Sequence, residues 1–364
     1  VDASVIRVVT DDGLVGIGSG DPMPGFIGHE ELFLGQDPRD LDRHFRIIDN
    51  LSFHVGRCWP LDLALWDLFG KIVGQPVWRL LGGATSKIPL YASSGAVREP
   101  KALAALASHY LDQGFRAMKV RFNAPDWRTE IEQIEAVREA VGERIEIMVD
   151  ANQAWRMPWD SRPPYRLKDA LQLARALETL DVYWLEEPLH RGDLAGLAAL
   201  RRATSIRIAG AEMAREMHDL DQLIERGCLD VLQPDAALIS GISGLSRLAR
   251  RAEAAGVQFS PHTWGNGVGL MANAQLAGGV GGCPFLEYPY DPNGWTADRR
   301  DFLLSAPLQA SSDGHLVLPD APGLGIELDE ERLRATAHGV PTPVAVAEAP
   351  SRGSVRRWFD WLRG

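Results

Sequence analysis

Eight short apolar runs, each closing on polar or charged residues, constrain this chain more than any other feature of its sequence. They are IPLYAS at 88–93, then AMKVRF, IEIMVD, VYWLEE, IRIAGAE, DVLQPD, VQFSPH and CPFLEY. Amphipathic stretches at 101–113, 126–141, 168–180, 193–203, 216–227 and 243–255 alternate with them. Repeated strand–helix units of this length form a parallel barrel or a doubly wound sheet. No GxGxxG or GxxxxGK(S/T) phosphate loop follows any run, so an α/β TIM barrel is the expected fold.

The flanks read differently. Residues 3–18, ASVIRVVTDDGLVGIG, predict two strands around a DDG turn. From Leu61 to Leu81 the spacing is helical, with Leu61, Ala64, Leu65, Leu68 and Ile72 on one face and Gly82-Gly83 as the stop. Beyond about Ala306 the alternation ends, and GHLVLPDAPGLGIELDEERL at 314–333 predicts a strand and turns that return to the first domain. The expected organisation is an α+β domain at 1–90, a barrel at 91–306 and a C-terminal segment at 307–364 that rejoins the first domain. The basic, aromatic tail SRGSVRRWFDWLRG at 351–364 predicts a terminal helix docked on its own domain, in preference to one on a membrane or partner. The chain opens at Val1 inside a strand-like run, so a start further upstream is expected.

Bulk properties exclude several functions. At 364 residues, about two domains are expected. A net charge of −11 offers phosphate backbones no basic footprint, which argues against nucleic acid as a partner. No apolar run is long enough to span a membrane. Cys58, Cys228 and Cys283 are odd in number, widely spaced and without a CxxC, which suits a reducing compartment; the cytoplasm is expected.

The chemistry lies where polar residues end the apolar runs, because a TIM barrel carries its active site at the C-terminal ends of its strands. The second run carries Lys119 and Arg121, the third ends in Asp150 with Asn152 beyond it, and the fourth ends in Glu186 and Glu187. The fifth ends in Glu212, the sixth in Asp235, the seventh in His262 and the eighth in Glu287. Asp150, Glu186 and Glu212, on three successive strands, converge at one mouth, where repulsion calls for a cation. An all-oxygen set with positions left for water and substrate suits Mg²⁺. The plainer alternative is three unrelated carboxylates capping the helices that follow. His262 and Asp235 end neighbouring strands and can meet. A carboxylate on one imidazole nitrogen makes the other a general base, although a lone histidine on a strand is commonly structural.

The ordered series KVR, VDANQAW, WLEEP, AGAE, VLQPD, SPHTWG and LEY, with ALWDLFGKIVGQPVWRLLGG before it and PGLG after it, resembles the mandelate racemase-like branch of the enolase superfamily over roughly residues 3–330. The resemblance implies a (β/α)7β barrel under a capping domain formed from both termini. It implies that Asp150, Glu186 and Glu212 bind Mg²⁺ and that Asp235–His262 is the acid–base dyad. It further implies that Glu287 hydrogen-bonds the substrate carboxylate, and that Asn152 and Glu187 support the metal and substrate. The family habit adds a homo-oligomer, often an octamer.

One position departs from the racemase pattern. Racemases of this kind have Lys-x-Lys on the second strand, whereas this chain has Lys119-Val120-Arg121. Arginine stays protonated and is a poor base. One good base serves β-elimination better than racemisation, so the expected activity is dehydration of an acid sugar to a 2-keto-3-deoxy acid. Arg121 and Lys119 then bind substrate oxygens or pair with the metal carboxylates. For the distal end of the substrate the candidates are His29, His54 and Arg57 in the capping loops, and Arg156 or Trp159 in the long RMPWDSRPPYRL stretch at 156–167. Epimerisation or cycloisomerisation on the same scaffold, and a non-catalytic paralogue, are the alternatives.

Overall fold

The computed structural model describes residues 3–292 and 294–336, and the backbone of 355–362. The hairpin forms as expected: β1 (Ala3–Thr10) pairs antiparallel with β2 (Val15–Gly20), and Gly13 takes the positive φ that the DDG turn requires. Helix α1 (Leu41–Val55) and helix α2 (Trp59–Val73) pack beside it. The alternating glycines of β2 let α2 lie against the strand, since a Cβ at Gly18 would stand 2.0 Å from the Pro60 carbonyl oxygen. The helix expected over Leu61–Leu81 stops earlier than Gly82-Gly83. Gly74 closes α2 in the left-handed conformation, and a short α3 (Val77–Leu80) restarts after Pro76.

Eight parallel strands follow, joined by seven helices. In chain order they are β3 (Lys87–Ser93), α4 (Pro100–Asp112), β4 (Ala117–Arg121), α5 (Ile131–Val141), β5 (Glu146–Asp150), α6 (Leu167–Glu178), β6 (Val182–Glu186) and α7 (Leu194–Ala203). The series continues with β7 (Arg207–Gly210), α8 (Met217–Glu225), β8 (Val231–Leu232), α9 (Gly241–Ala254), β9 (Gln258–Phe259), α10 (Gly267–Val280) and β10 (Leu286–Pro289). The ladder runs β10-β3-β4-β5-β6-β7-β8-β9. Side chains draw its two ends together: Ser260 Oγ donates to the Phe285 carbonyl at 2.6 Å, and Thr263 donates to Glu287 from both its backbone N and its hydroxyl. Helix α10 has no counterpart among the amphipathic stretches, because GVGLMANAQLAGGV is buried on every side and carries no polar face.

The period of two along each strand explains both core and site. Ala117, Met148, Trp184, Ala209 and Tyr91 point inward and pack together, Tyr91 meeting Trp184 edge to face at 5.3 Å. The alternate residues Met118, Val120, Ile147, Val149, Leu185 and Ile208 point outward into the layer beneath the helices. Two residues beyond Met148 and Trp184, on the same inward face, stand Asp150 and Glu186.

After a short α11 (Ala297–Arg300), the strand expected near 314–333 forms as β11 (His315–Val317). It adds antiparallel to β3 of the barrel rather than to the first domain. The return to that domain is made just beyond it: Asp67 of α2 accepts from Leu324 N at 2.7 Å and from Ile17 N at 2.8 Å, and α12 (Glu330–Thr336) pairs through Glu330 with Arg7. The tail corrects the expectation of a helix. Residues 351–354 and 363–364 lie outside the described residues, and β12 (Val355–Leu362) pairs antiparallel with β1. Its run of valine and aromatic residues favours extended backbone, and it covers an edge of β1 that β2 leaves free. Among the described residues no helix is long and apolar enough to cross a membrane.

Candidate active site

The strand ends bring Asp150, Glu186 and Glu212 together, buried, with one carboxylate oxygen from each lying within 4.8 Å of the others. Lys119 Nζ lies 2.5 Å from Glu186 Oε1, 3.0 Å from Glu287 Oε1 and 3.9 Å from Asp150 Oδ2, over the Tyr91 ring. Burial works against its ammonium, but the three carboxylates outweigh that and raise its pKa above the ordinary value. Arg121 Nη1 donates to Asp150 Oδ2 at 3.0 Å and to Asn152 Oδ1 at 3.2 Å, and Nε donates to the Ser94 carbonyl. Its guanidinium stacks over Trp264. Both cations on β4 are therefore engaged with the acidic set.

His262 Nδ1 lies 2.9 Å from Asp235 Oδ2, while Nε2 faces Glu212 at 3.6 Å and Glu287 at 4.0 Å. Burial disfavours the imidazolium, yet Glu212, Glu287 and Asp235 outweigh it and raise His262 to about 9. Glu287 accepts from Thr263 N at 3.0 Å. Burial opposes its charge, but Lys119, His262 and Arg121 hold it well below the usual carboxylate range.

The donor set fits a hard divalent cation. Among the described residues, six buried carboxyl groups, Asp150, Glu186, Glu187, Glu212, Asp235 and Glu287, face two permanent cations, Lys119 and Arg121. Burial raises the pKa of Asp150, Glu186 and Glu187, and at Glu187 the neighbouring carboxylates of Glu212 and Asp150 add to it. Glu212 Oε2 and both oxygens of Glu187 are buried and accept no hydrogen bond among the described residues. Oxygen donors short of protons are what such a cation satisfies. The other oxygens of the triad are aimed by neighbours that stand within or beside the same motifs and whose roles only the folded chain shows. Trp155 Nε1 donates to Glu212 Oε1, and Gln233 and Trp184 donate to Glu186 Oε2.

A cavity of about 720 Å³ opens beside Glu212 and His262, lined also by Arg121, Asn152, Arg156, Trp159 and others. Asn152, held at φ +50, donates to the Phe122 and Asp150 carbonyls, so it braces the loop as well as the cavity wall. Arg156 is turned back on its own loop, donating to Asn152 O and to Gln153 Oε1 at 2.7 Å. Trp159 is 81% exposed at the cavity rim. His29, His54 and Arg57 are not among the lining residues. His54 sits on the exposed last turn of α1 against Phe53, and Arg57 is drawn to Asp21 at 3.2 Å.

A parallel barrel with three convergent buried carboxylates at its mouth, under an α+β cap, defines an enzyme scaffold equipped to hold a metal. Comparison with known proteins narrows the class. Residues 102–332 match the "Enolase C-terminal domain-like" family and residues 2–82 match the "Mandelate racemase / muconate lactonizing enzyme, N-terminal domain". The chain belongs to the mandelate racemase/muconate lactonizing enzyme family of the enolase superfamily. It is 32% identical over 268 residues to an arabinonate dehydratase of Saccharolobus solfataricus, covering 73% of this chain and 68% of that one. It is also 32% identical over 283 residues to a 3,6-anhydro-alpha-L-galactonate cycloisomerase of Streptomyces coelicolor, covering 77% and 71%. Among solved structures, a racemase from Streptomyces coelicolor A3(2) with bound magnesium superposes with a TM-score of 0.80 at 26% identity, covering 92% of this chain and 91% of that one.

Proposed function

We propose that this protein is a magnesium-dependent acid-sugar dehydratase, acting on an aldonate or aldarate. The observation that carries the reading is the one-sidedness of its bases. His262 presents a single free nitrogen, Nε2, to the acidic centre, and its Nδ1 is held by Asp235. On β4, where a second base would stand, Lys119 and Arg121 are both locked in ion pairs with the acidic set. A proton can be taken on one side and not delivered from the other, which disfavours racemisation.

Magnesium held by Asp150, Glu186 and Glu212 would neutralise charge developing on the substrate carboxylate. His262 Nε2 removes the proton on the carbon next to that carboxylate. The electron pair left behind expels the 3-hydroxyl, and His262 returns its proton to that oxygen as water departs. The enol product tautomerises to a 2-keto-3-deoxy acid. Glu287, kept as a carboxylate by Lys119 and Thr263 N, lines the acidic centre beside His262, and the cavity of about 720 Å³ has room for a polyhydroxy chain reaching toward Trp159. The arabinonate dehydratase likeness agrees with this chemistry.

A cycloisomerase is the second reading, favoured by a relative of that name at the same identity; it too needs only one α-proton base. Incubation with Mg²⁺ and a panel of aldonic, aldaric and lactone substrates, followed by assay for 2-keto-3-deoxy acids and for ring-opened isomers, tests both. Dehydration lost in His262→Asn supports the proposal. Isomerisation without loss of water replaces it with the second reading, and α-proton exchange with inversion overturns both.

A further inference from the structure

Helix α10 is apolar on every side, yet it carries a wholly buried amide, Asn273. Its side-chain atoms are assigned by backbone groups with no alternative roles. Ala236 N, a donor only, gives its proton to Asn273 Oδ1 at 2.9 Å, and the Gly269 carbonyl, an acceptor only, receives one from Nδ2 at 3.1 Å. That orientation turns the other Nδ2 proton to Asp235 Oδ1 at 2.8 Å, an oxygen that also accepts from Ala237 N at 2.9 Å. With Oδ1 doubly occupied, Oδ2 is left for His262 Nδ1 at 2.9 Å.

We propose that Asn273 is a positioning residue that sets the rotation of the Asp235 carboxylate and, through it, the ring of His262. The proposal rests on Asp235–His262 being the proton-transfer pair. Aspartate at position 273 would keep the acceptor for Ala236 N but place oxygen against the Asp235 carboxylate. Leucine would fill the volume and leave Ala236 N and Asp235 Oδ1 each short of a partner. Only an amide meets a donor, an acceptor and a carboxylate at once. The same helix is tied to the cap, where Asn266 at its N-cap donates to Ser19 Oγ at 2.8 Å, so its rotation about its own axis is restrained from outside the barrel.

The test uses the full-length protein with Mg²⁺. In Asn273→Ala, kcat should fall about 10- to 100-fold while KM stays within about threefold. In an Asp235→Asn background the same substitution should change kcat by less than about twofold, because the group it acts through is already gone. Asn273→Ser serves the same comparison if the alanine variant does not fold. Nitrogen-15 histidine NMR reads the pair without substrate: the His262 Nδ1–H resonance should shift or broaden in Asn273→Ala and stay put in Trp159→Ala. An unmoved resonance in Asn273→Ala, or equal losses of kcat in both backgrounds, overturns the proposal. A perturbed resonance in a protein that turns over no acid sugar supports the positioning role and removes the dehydratase reading instead.

Discussion

Asp62 of the cap helix α2 accepts from both the backbone N (3.1 Å) and the hydroxyl (2.6 Å) of Ser243 in the first turn of α9. The cap is thus seated on the barrel through a buried carboxyl group. Gly241 makes room for it, since a Cβ there would lie 2.2 Å from Asp62 Oδ2. Burial, only partly offset by the Ser243 bonds, pushes Asp62 up to about 6.

The pH dependence follows from that shift. Between about pH 4 and 6 the folded protein keeps the Asp62 proton and the unfolded chain releases it, so this group's contribution to stability declines as pH rises through that window. The decline is about 2–3 kcal/mol. Urea unfolding of wild type and Asp62→Asn across pH 4–7 should show the difference between them narrowing or reversing over that interval. A constant difference would contradict the shift.

Lys119 is the counter-ion of Glu186 and Glu287, both buried. Lys119→Met keeps the stem and removes the charge, leaving two buried carboxylates uncompensated, and should destabilise the fold by about 3–5 kcal/mol. Denaturant midpoints with unchanged m-values measure it.

Divalent metal should stabilise the folded chain by about 2.7 kcal/mol at a hundredfold excess over its Kd. Thermal unfolding with Mg²⁺ and then with chelator reads this shift directly. Glu212→Gln, which removes one member of the triad, should abolish it while leaving the chelated protein's transition in place.

His262→Asn and Asp235→Asn should each slow α-proton exchange in D₂O by about 10²–10⁴-fold. Deuterium incorporation into an accepted acid sugar, followed by NMR, measures it. Full exchange in His262→Asn would assign the base elsewhere.

Trp159, at the rim and largely exposed, packs against little, so Trp159→Ala should move stability by no more than about 0.5 kcal/mol. If it covers the distal end of the substrate, KM should rise severalfold with kcat nearly unchanged. Steady-state kinetics on the same substrate separates the two.

Much of this architecture is legible in the chain because period two and barrel topology work together. Asp150 and Glu186 follow Met148 and Trp184 on the inward face, so reading the apolar core of a strand also identifies the group at its mouth. Less is legible where neighbours in space compete. Arg156 stands where a substrate ligand would, yet is turned back onto Gln153, while Arg57 is held by Asp21. The tail has the composition of a docked helix, yet an open edge of β1 makes extended pairing available to it.

Sequence alone determined the repeating units, the acidic triad, the His–Asp pair and the arginine where racemases keep a second lysine, because each is written as residue type at a strand end. Tertiary structure decided the occupation of those groups. Lys119 and Arg121 are engaged by carboxylates that only the curl of the parallel sheet brings within reach. Helix α10 loses its sequence signature because it is buried on all sides, and so Asn273 could be placed against Asp235 only once the helix was seated between barrel and cap.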